Sequence, residues 1–321
     1  MATALDLPLI DVLPERPTGP SAWATNVGRF CRRKPLGAVG GFIVLLMLIC
    51  ALFVDTALIG GDTPLLALEG YDDQHIRRAD RNISPFESAS HPLGTDDFGR
   101  DIFSRILYGA RIAAVIGFSA VALSAGVSLV LGTVSGYFGG WVDTIIQRVI
   151  DVILAIPAIV LLIFSLAVFA SRAGPYKTMF WITVIIGFIL AAASVRVIRS
   201  AALSTAANQY VDAARTIGAT NSRIILRHMV PNVVPVAIVF ATVQLGTTIL
   251  AVASVGFLGL GIPPPFPDWG VMLSITGSQQ FRVFPEQAIW PGVAIALAVY
   301  GFNMFGDALR DVLDPRLRGS K

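Results

Sequence analysis

Residues Arg196–His228 read RVIRSAALSTAANQYVDAARTIGATNSRIILRH, the longest polar interval between the second apolar span and the C-terminus. Membrane-grade apolar sequence flanks it on both sides, and it carries Arg196, Arg199, Arg215, Arg223 and Arg227. Leu203, Ala206/Ala207, Tyr210, Ala213/Ala214 and Ile217 recur at three-to-four spacing, which makes them one face of a helix. Asn208, Asp212 and Arg215 fall on another face, with Asp212 and Arg215 close enough to pair. Gly218 stops this helix, and Thr220, Asn221 or Ser222 caps a second, short one that Pro231 closes or kinks. The expectation is two short helices joined at a glycine beside the membrane, with Ala213, Ala214 and Gly218 small enough to admit another backbone. The pattern alone serves equally well for a solvated amphipathic linker between helices.

Outward from this stretch the chain is a membrane protein. Mean hydropathy is +0.71, 55% of residues are hydrophobic and 14% are charged, against about 25% charged in soluble domains. The formal net charge of +3 carries no nucleic-acid signal, because the basic residues gather at span ends. Cys31 and Cys50, one beside a basic cluster and one in an apolar run, imply no disulfide framework.

Six spans are expected, in an all-α chain. Residues 1–35 form a cytoplasmic tail, with Arg29, Arg32, Arg33 and Lys34 just before the first span at Leu36–Leu58, too long for a cleaved signal peptide. Residues 59–105 form an external segment. Its carboxylates near His91–Arg105 do not follow an EF-hand spacing. They read instead as a helix start: Thr95 as cap, Asp96 and Asp97 at the positive end, Asp101 paired with Arg105.

A core of five spans, residues 106–311, follows, with its polar loop at 198–230. Its second span, Ile106–Val134, is rich in small residues that let helices pack closely in lipid. A tight turn at Gly136–Asp143 leads to a third span at Thr144–Ala170, where Arg148 and Asp151 can neutralise each other. The remaining spans are expected at Met179–Val197, Val233–Phe257 and Ala288–Phe305. Between the last two, Pro263–Pro265 reads as stiff and extended, and Trp269 as a membrane-interface residue. Residues 312–321 form a second cytoplasmic tail. Basic residues number four at 29–34, five at 196–227 and four at 310–321, against two (Arg172, Lys177) and one (Arg282) in the short loops of the other side. That is the positive-inside bias of six spans with both termini in the cytoplasm.

The chain lacks an engine. There is no G-x-x-x-x-G-K-[ST] loop, no H-E-x-x-H and no C-x-x-C, and His75, His91 and His228 lie in different regions. No catalytic residue, cofactor or metal ligand is expected. Ionisable groups sit mostly at span ends, which disfavours ion-coupled transport. Gln244, Thr247 and Thr248 are the candidates for lining a pathway, although threonine hydroxyls in a helix equally bond to the backbone one turn back.

The run Asp212-Ala213-Ala214-Arg215-Thr216-Ile217-Gly218, then Arg227-His228-Met229-Val230-Pro231-Asn232, resembles the E-A-A-x-x-x-G loop of ABC-importer permeases. Asp212 stands for the usual Glu, keeping the charge with a shorter reach, and His228 for the usual Ile. The Arg-His-x-x-Pro-Asn form is similar to the dipeptide/oligopeptide/nickel branch. Residues 91–111 and Gln147-Arg148-x-x-Asp151-x-x-x-Ala155-x-Pro157 resemble it as well. The resemblance covers roughly residues 91 to 318 and implies a type I ABC importer permease fold in a bacterial inner membrane.

It implies further that the loop is a coupling helix seated in an ATPase groove, with Tyr210, Asp212, Ala213, Ala214, Arg215, Gly218, Ala219, Arg227 and Pro231 as the coupling residues. The implied partners are a second homologous permease, two ATP-binding subunits that hold ATP and Mg, an external binding protein and the bilayer. Peptides are the expected substrate, with nickel or another small solute as the alternative. A self-sufficient channel or ion-coupled carrier is the reading from a different class.

Overall fold

The computed structural model describes residues 28, 30–32, 34–56, 63–74, 81–170, 174–277 and 284–313. Most of both tails, His75, Arg172, Arg282 and the expected end of the first span at Leu58 fall outside them. Among the described residues every regular element is helical, beside two isolated β-bridges.

Helix α1, Pro35–Phe53, stops short of the expected Leu58. The guanidinium of Arg111 donates to the Ala51 carbonyl (2.7 Å) and grips both carboxylate oxygens of Asp55 (2.8 and 3.0 Å). That satisfies an end-of-helix carbonyl and turns the chain aside.

Helix α2, Ile102–Phe138, is longer than expected at both ends. Asp101 caps it, its carboxylate accepting the Ser104 N–H at 2.7 Å. Thr95 is therefore not the cap: it is buried, and its hydroxyl oxygen accepts the Ile83 N–H (3.0 Å). Nor does Asp101 pair with Arg105. Asp101 lies 3.3 Å from His91, while Arg105 donates to the carbonyls of Tyr71 (2.8 Å) and Pro265 (3.2 Å). A cap must sit directly before the helix with its oxygen turned inward, which leaves that oxygen nothing to offer Arg105 one turn on.

The expected third span is broken. Helices α3, Gly140–Ala155, and α4, Ala158–Phe169, meet at an 89° bend. Pro157 lacks an N–H and excludes Ile156 from helical backbone, and Ile156 is extended. Asp151 does not pair with Arg148 but with Arg196 of helix α5, Pro175–Ala206, at 2.6 Å. Asp143 makes a two-pronged bond to Arg199 of the same helix.

Helix α5 packs along α2 through the small-residue seam. A Cβ on Gly136 would stand 2.6 Å from Cβ of Ala202, and one on Gly132 2.7 Å from Cβ of Ile198. Helices α6, Gln209–Thr216, and α7, Asn221–Ile224, then lead through a wide π turn at Ile225–Met229 into α8, Val230–Phe257.

Past α8, Pro263–Pro265 is not extended: a turn occupies residues 264–265. The buried carboxylate of Asp268 gathers this loop by accepting the N–H groups of Ile262 (3.3 Å) and Gly270 (2.8 Å). Trp269 is not an interface residue in this chain. It is buried and donates to the Ile106 carbonyl (3.0 Å) at the start of α9, Trp269–Gly277, a helix without a sequence forecast. Helix α10, Glu286–Leu313, begins with Gln287 donating to Asn82 and to the Thr95 carbonyl.

Five helical stretches are long and apolar enough to span, and the bent α3–α4 pair makes a sixth if it counts as one crossing. One apolar cluster joins α1, α2, α8, α9 and α10, a second joins α2, α4, α5 and α8, and a third lies beneath α6 and α7.

Candidate coupling segment

The segment between α5 and α8 is short, and its burial decides what it offers. Val211, Ala214, Ile224 and Met229 turn inward and close over Ile198, Ala202, Val233 and Ala237. The face picked out by periodicity is split. Ala206 and Ala214 pack inward, whereas Leu203 and Tyr210 are each 41% exposed and Ile217 is 85% exposed; Leu226, further along the segment, is 69% exposed. A continuous helix from Leu203 to Ile217 is also not what forms, since the chain breaks at Ala207 and Asn208, where Asn208 takes an extended backbone before α6.

Gly218 ends α6 at φ +81°, with open space around it. A β-carbon is strained in that backbone region, so glycine belongs there. Thr220 precedes α7 in extended backbone. Pro231 does not close the second helix, because Asn221–Phe257 runs as one stretch. A proline cannot bond the carbonyl four residues back and its ring crowds that carbonyl. The π turn widens the helix just ahead of it, and the Val230 N–H reaches back five residues to the Ile225 carbonyl.

Of the residues expected to couple, Tyr210, Asp212, Ala213, Arg215, Gly218, Arg227 and Pro231 are exposed, Ala219 is half-buried, and Ala214 is buried. Asp212 and Arg215 pair at 3.2 Å, as their spacing predicts. Sequence reading missed Tyr137, at the far end of α2. Its hydroxyl donates to Asn221 Oδ1 (2.8 Å), and the Arg215 guanidinium lies 5.2 Å from its ring centroid. The only signal was an aromatic residue inside a glycine turn.

The three polar residues of α8 sit within about one turn of one another but face different surroundings. Gln244 is buried between helices, donating to Ser194 Oγ (2.9 Å) and accepting from Ser124 Oγ (3.3 Å). Thr248 is buried and Thr247 exposed, and both hydroxyls donate to the Gln244 carbonyl (2.7 and 2.9 Å).

Set beside known proteins, residues 128–319 match the family described as the binding-protein-dependent transport system inner membrane component. The chain belongs to this family. It is an all-helical, multi-pass inner-membrane permease of an ABC importer, a transport subunit and not an enzyme. The permease is 38% identical over 325 residues to the dipeptide transport system permease protein of Alkalihalophilus pseudofirmus, covering 99% of this chain and 100% of that one. It is 36% identical over 296 residues to the glutathione transport system permease protein of Pectobacterium atrosepticum, covering 92% of each. The Escherichia coli glutathione permease is 35% identical over 288 residues, covering 90% of this chain and 89% of that one.

Proposed function

We propose that this permease forms half of a pathway for di- or oligopeptides, and that the 207–229 segment is where ATP-driven motion enters it. A second, homologous permease completes the pathway. Two ATP-binding subunits, which hold ATP and Mg, dock on the segment in the cytoplasm, and an external binding protein delivers substrate at the opposite end. The observation that carries this reading is that Tyr210, Ile217 and Leu226 are exposed, with charged residues between them in sequence, on a segment whose Val211, Ala214, Ile224 and Met229 pack into the core. An exposed apolar patch rimmed by polar residues marks a site of protein contact. The peptide substrate is supported by the names of the dipeptide and glutathione relatives.

The pathway assignment narrows to Thr247, which faces outward from α8, while Gln244 and Thr248 hold helices together from within. The test is co-purification of the permease with its ATP-binding subunits. Ile217→Asp and Tyr210→Asp leave the fold intact and abolish capture; retention of the ATP-binding subunits by both variants sinks the docking reading. Uptake of a labelled dipeptide by the reconstituted complex tests the substrate, and uptake of nickel without dipeptide uptake reverses that assignment.

A further inference from the structure

Both covalent exits from the coupling segment are interrupted. Toward α5 the helix breaks at Ala207–Asn208, and toward α8 the backbone widens into the π turn at Ile225–Met229. The joint between α6 and α7 is Gly218, unpacked at φ +81°. A push on the segment therefore reaches the spans through side-chain contacts rather than along an uninterrupted helix: the apolar face over Ile198 and Val233 serves α5 and α8, and a separate tie is needed to reach the end of α2.

Tyr137 meets that need. It stands one residue before the end of α2, a helix of 37 residues without a break. Its hydroxyl holds Asn221, the first residue of α7, and its ring carries Arg215, in the last turn of α6. The ring packs against the cluster of Ile198, Val211, Ala214 and Ile224, and Phe138 braces it edge-on at 5.1 Å. Arg215 is already fixed by Asp212, so the cation over the ring is held in place. One side chain thus ties both halves of the segment to an unbroken rod.

We propose that Tyr137 is a positioning residue that makes α6 and α7 move as one body and delivers their motion to α2. This rests on the coupling reading above. The experiment uses the full complex in proteoliposomes and reads labelled dipeptide moved per ATP hydrolysed, with co-purification of the ATP-binding subunits measured separately. Tyr137→Phe and Asn221→Ala each remove the same hydrogen bond. Each is expected to lower the ratio about five-fold, the scale set by loss of one hydrogen bond, the double variant no further than either single one, and capture of the ATP-binding subunits stays at the wild-type level in all three. Tyr137→Leu, which also removes the ring, lowers the ratio more.

A generally weakened fold would lower uptake and ATP hydrolysis together and leave the ratio unchanged. An unchanged ratio in Tyr137→Phe and Asn221→Ala, or losses that multiply in the double variant, overturns the proposal. If Tyr137→Leu does not assemble, the other two variants decide, since Asn221 is exposed and touches no core. Failure of the coupling reading shows separately, as ATP-binding subunits retained by Ile217→Asp.

Discussion

At the scale of single residues, burial of polar atoms separates what holds the bundle from what serves the surface. Gln244 is the only described residue whose side chain bonds to both Ser124 of α2 and Ser194 of α5, so it fixes three helices at one point. Replacing it with Leu leaves Ser124 without its amide partner and is expected to cost about 1 kcal/mol, the scale of interhelical hydrogen bonds in membranes. Thermal unfolding in detergent checks this, with Thr247→Val as the near-neutral control because its exposed hydroxyl serves only its own helix. The opposite sign is expected at Thr133. Its hydroxyl is buried without a hydrogen-bond partner among the described residues, so Thr133→Val raises stability by about 1 kcal/mol in the same measurement.

At the scale of elements, α3 is held to α5 by a small apolar contact and by charge. Ile150 is buried against Ala192 and Val195 with Ile146 and Ile153 beside it, and Asp143–Arg199 and Asp151–Arg196 pair across the same two helices. The first pair is the better shielded, and Ser135 adds a bond to Asp143. Asp143→Asn is expected to cost about 2 kcal/mol and to speed proteolysis at the Gly139–Gly140 turn. Asp151→Asn, whose pair is half exposed, changes either reading little.

The same pairs show where sequence reading stops. Hydropathy anticipated the long apolar helices α1, α2, α5, α8 and α10, because a run of apolar side chains needs no partner to be recognised, but it ran the bent α3–α4 pair together as one straight span. It misplaced helix ends and polar pairings because those are set by residues remote in sequence. Arg111 ends α1 from 56 positions away through Asp55, and Arg196 takes Asp151 from 45 positions away. The run Asp212–Gly218 and its Asp212–Arg215 pair were legible in the sequence, but Tyr137 was not, since its contact with Asn221 spans 84 positions. Periodicity also put Leu203, Tyr210, Ala214 and Ile217 on one stripe, whereas the break at Ala207 and Asn208 leaves Ala214 packed with Val211 and the larger three exposed.

At the scale of the whole molecule, the start of α1 and the end of α10 meet through Lys34 and Asp311 at 2.6 Å, while Gln287 at the other end of α10 is bonded to Asn82 and Thr95. The basic residues near 29–34 and 196–227 set the expected orientation, with the coupling segment in the cytoplasm. In a background lacking Cys31 and Cys50, Ala89→Cys should react with a membrane-impermeant maleimide on intact cells, and Ala213→Cys only after permeabilisation. Both positions are exposed, so the reverse pattern would mean an inverted chain.

The length of α2 has a consequence of its own. At 37 residues it extends about 55 Å, well beyond the roughly 30 Å of hydrocarbon it crosses. The excess length leaves α2 with turns to spare beyond the hydrocarbon. On the coupling role proposed above, a displacement received beside Tyr137 is felt at Asp101 as well, because one unjointed strut connects the two ends.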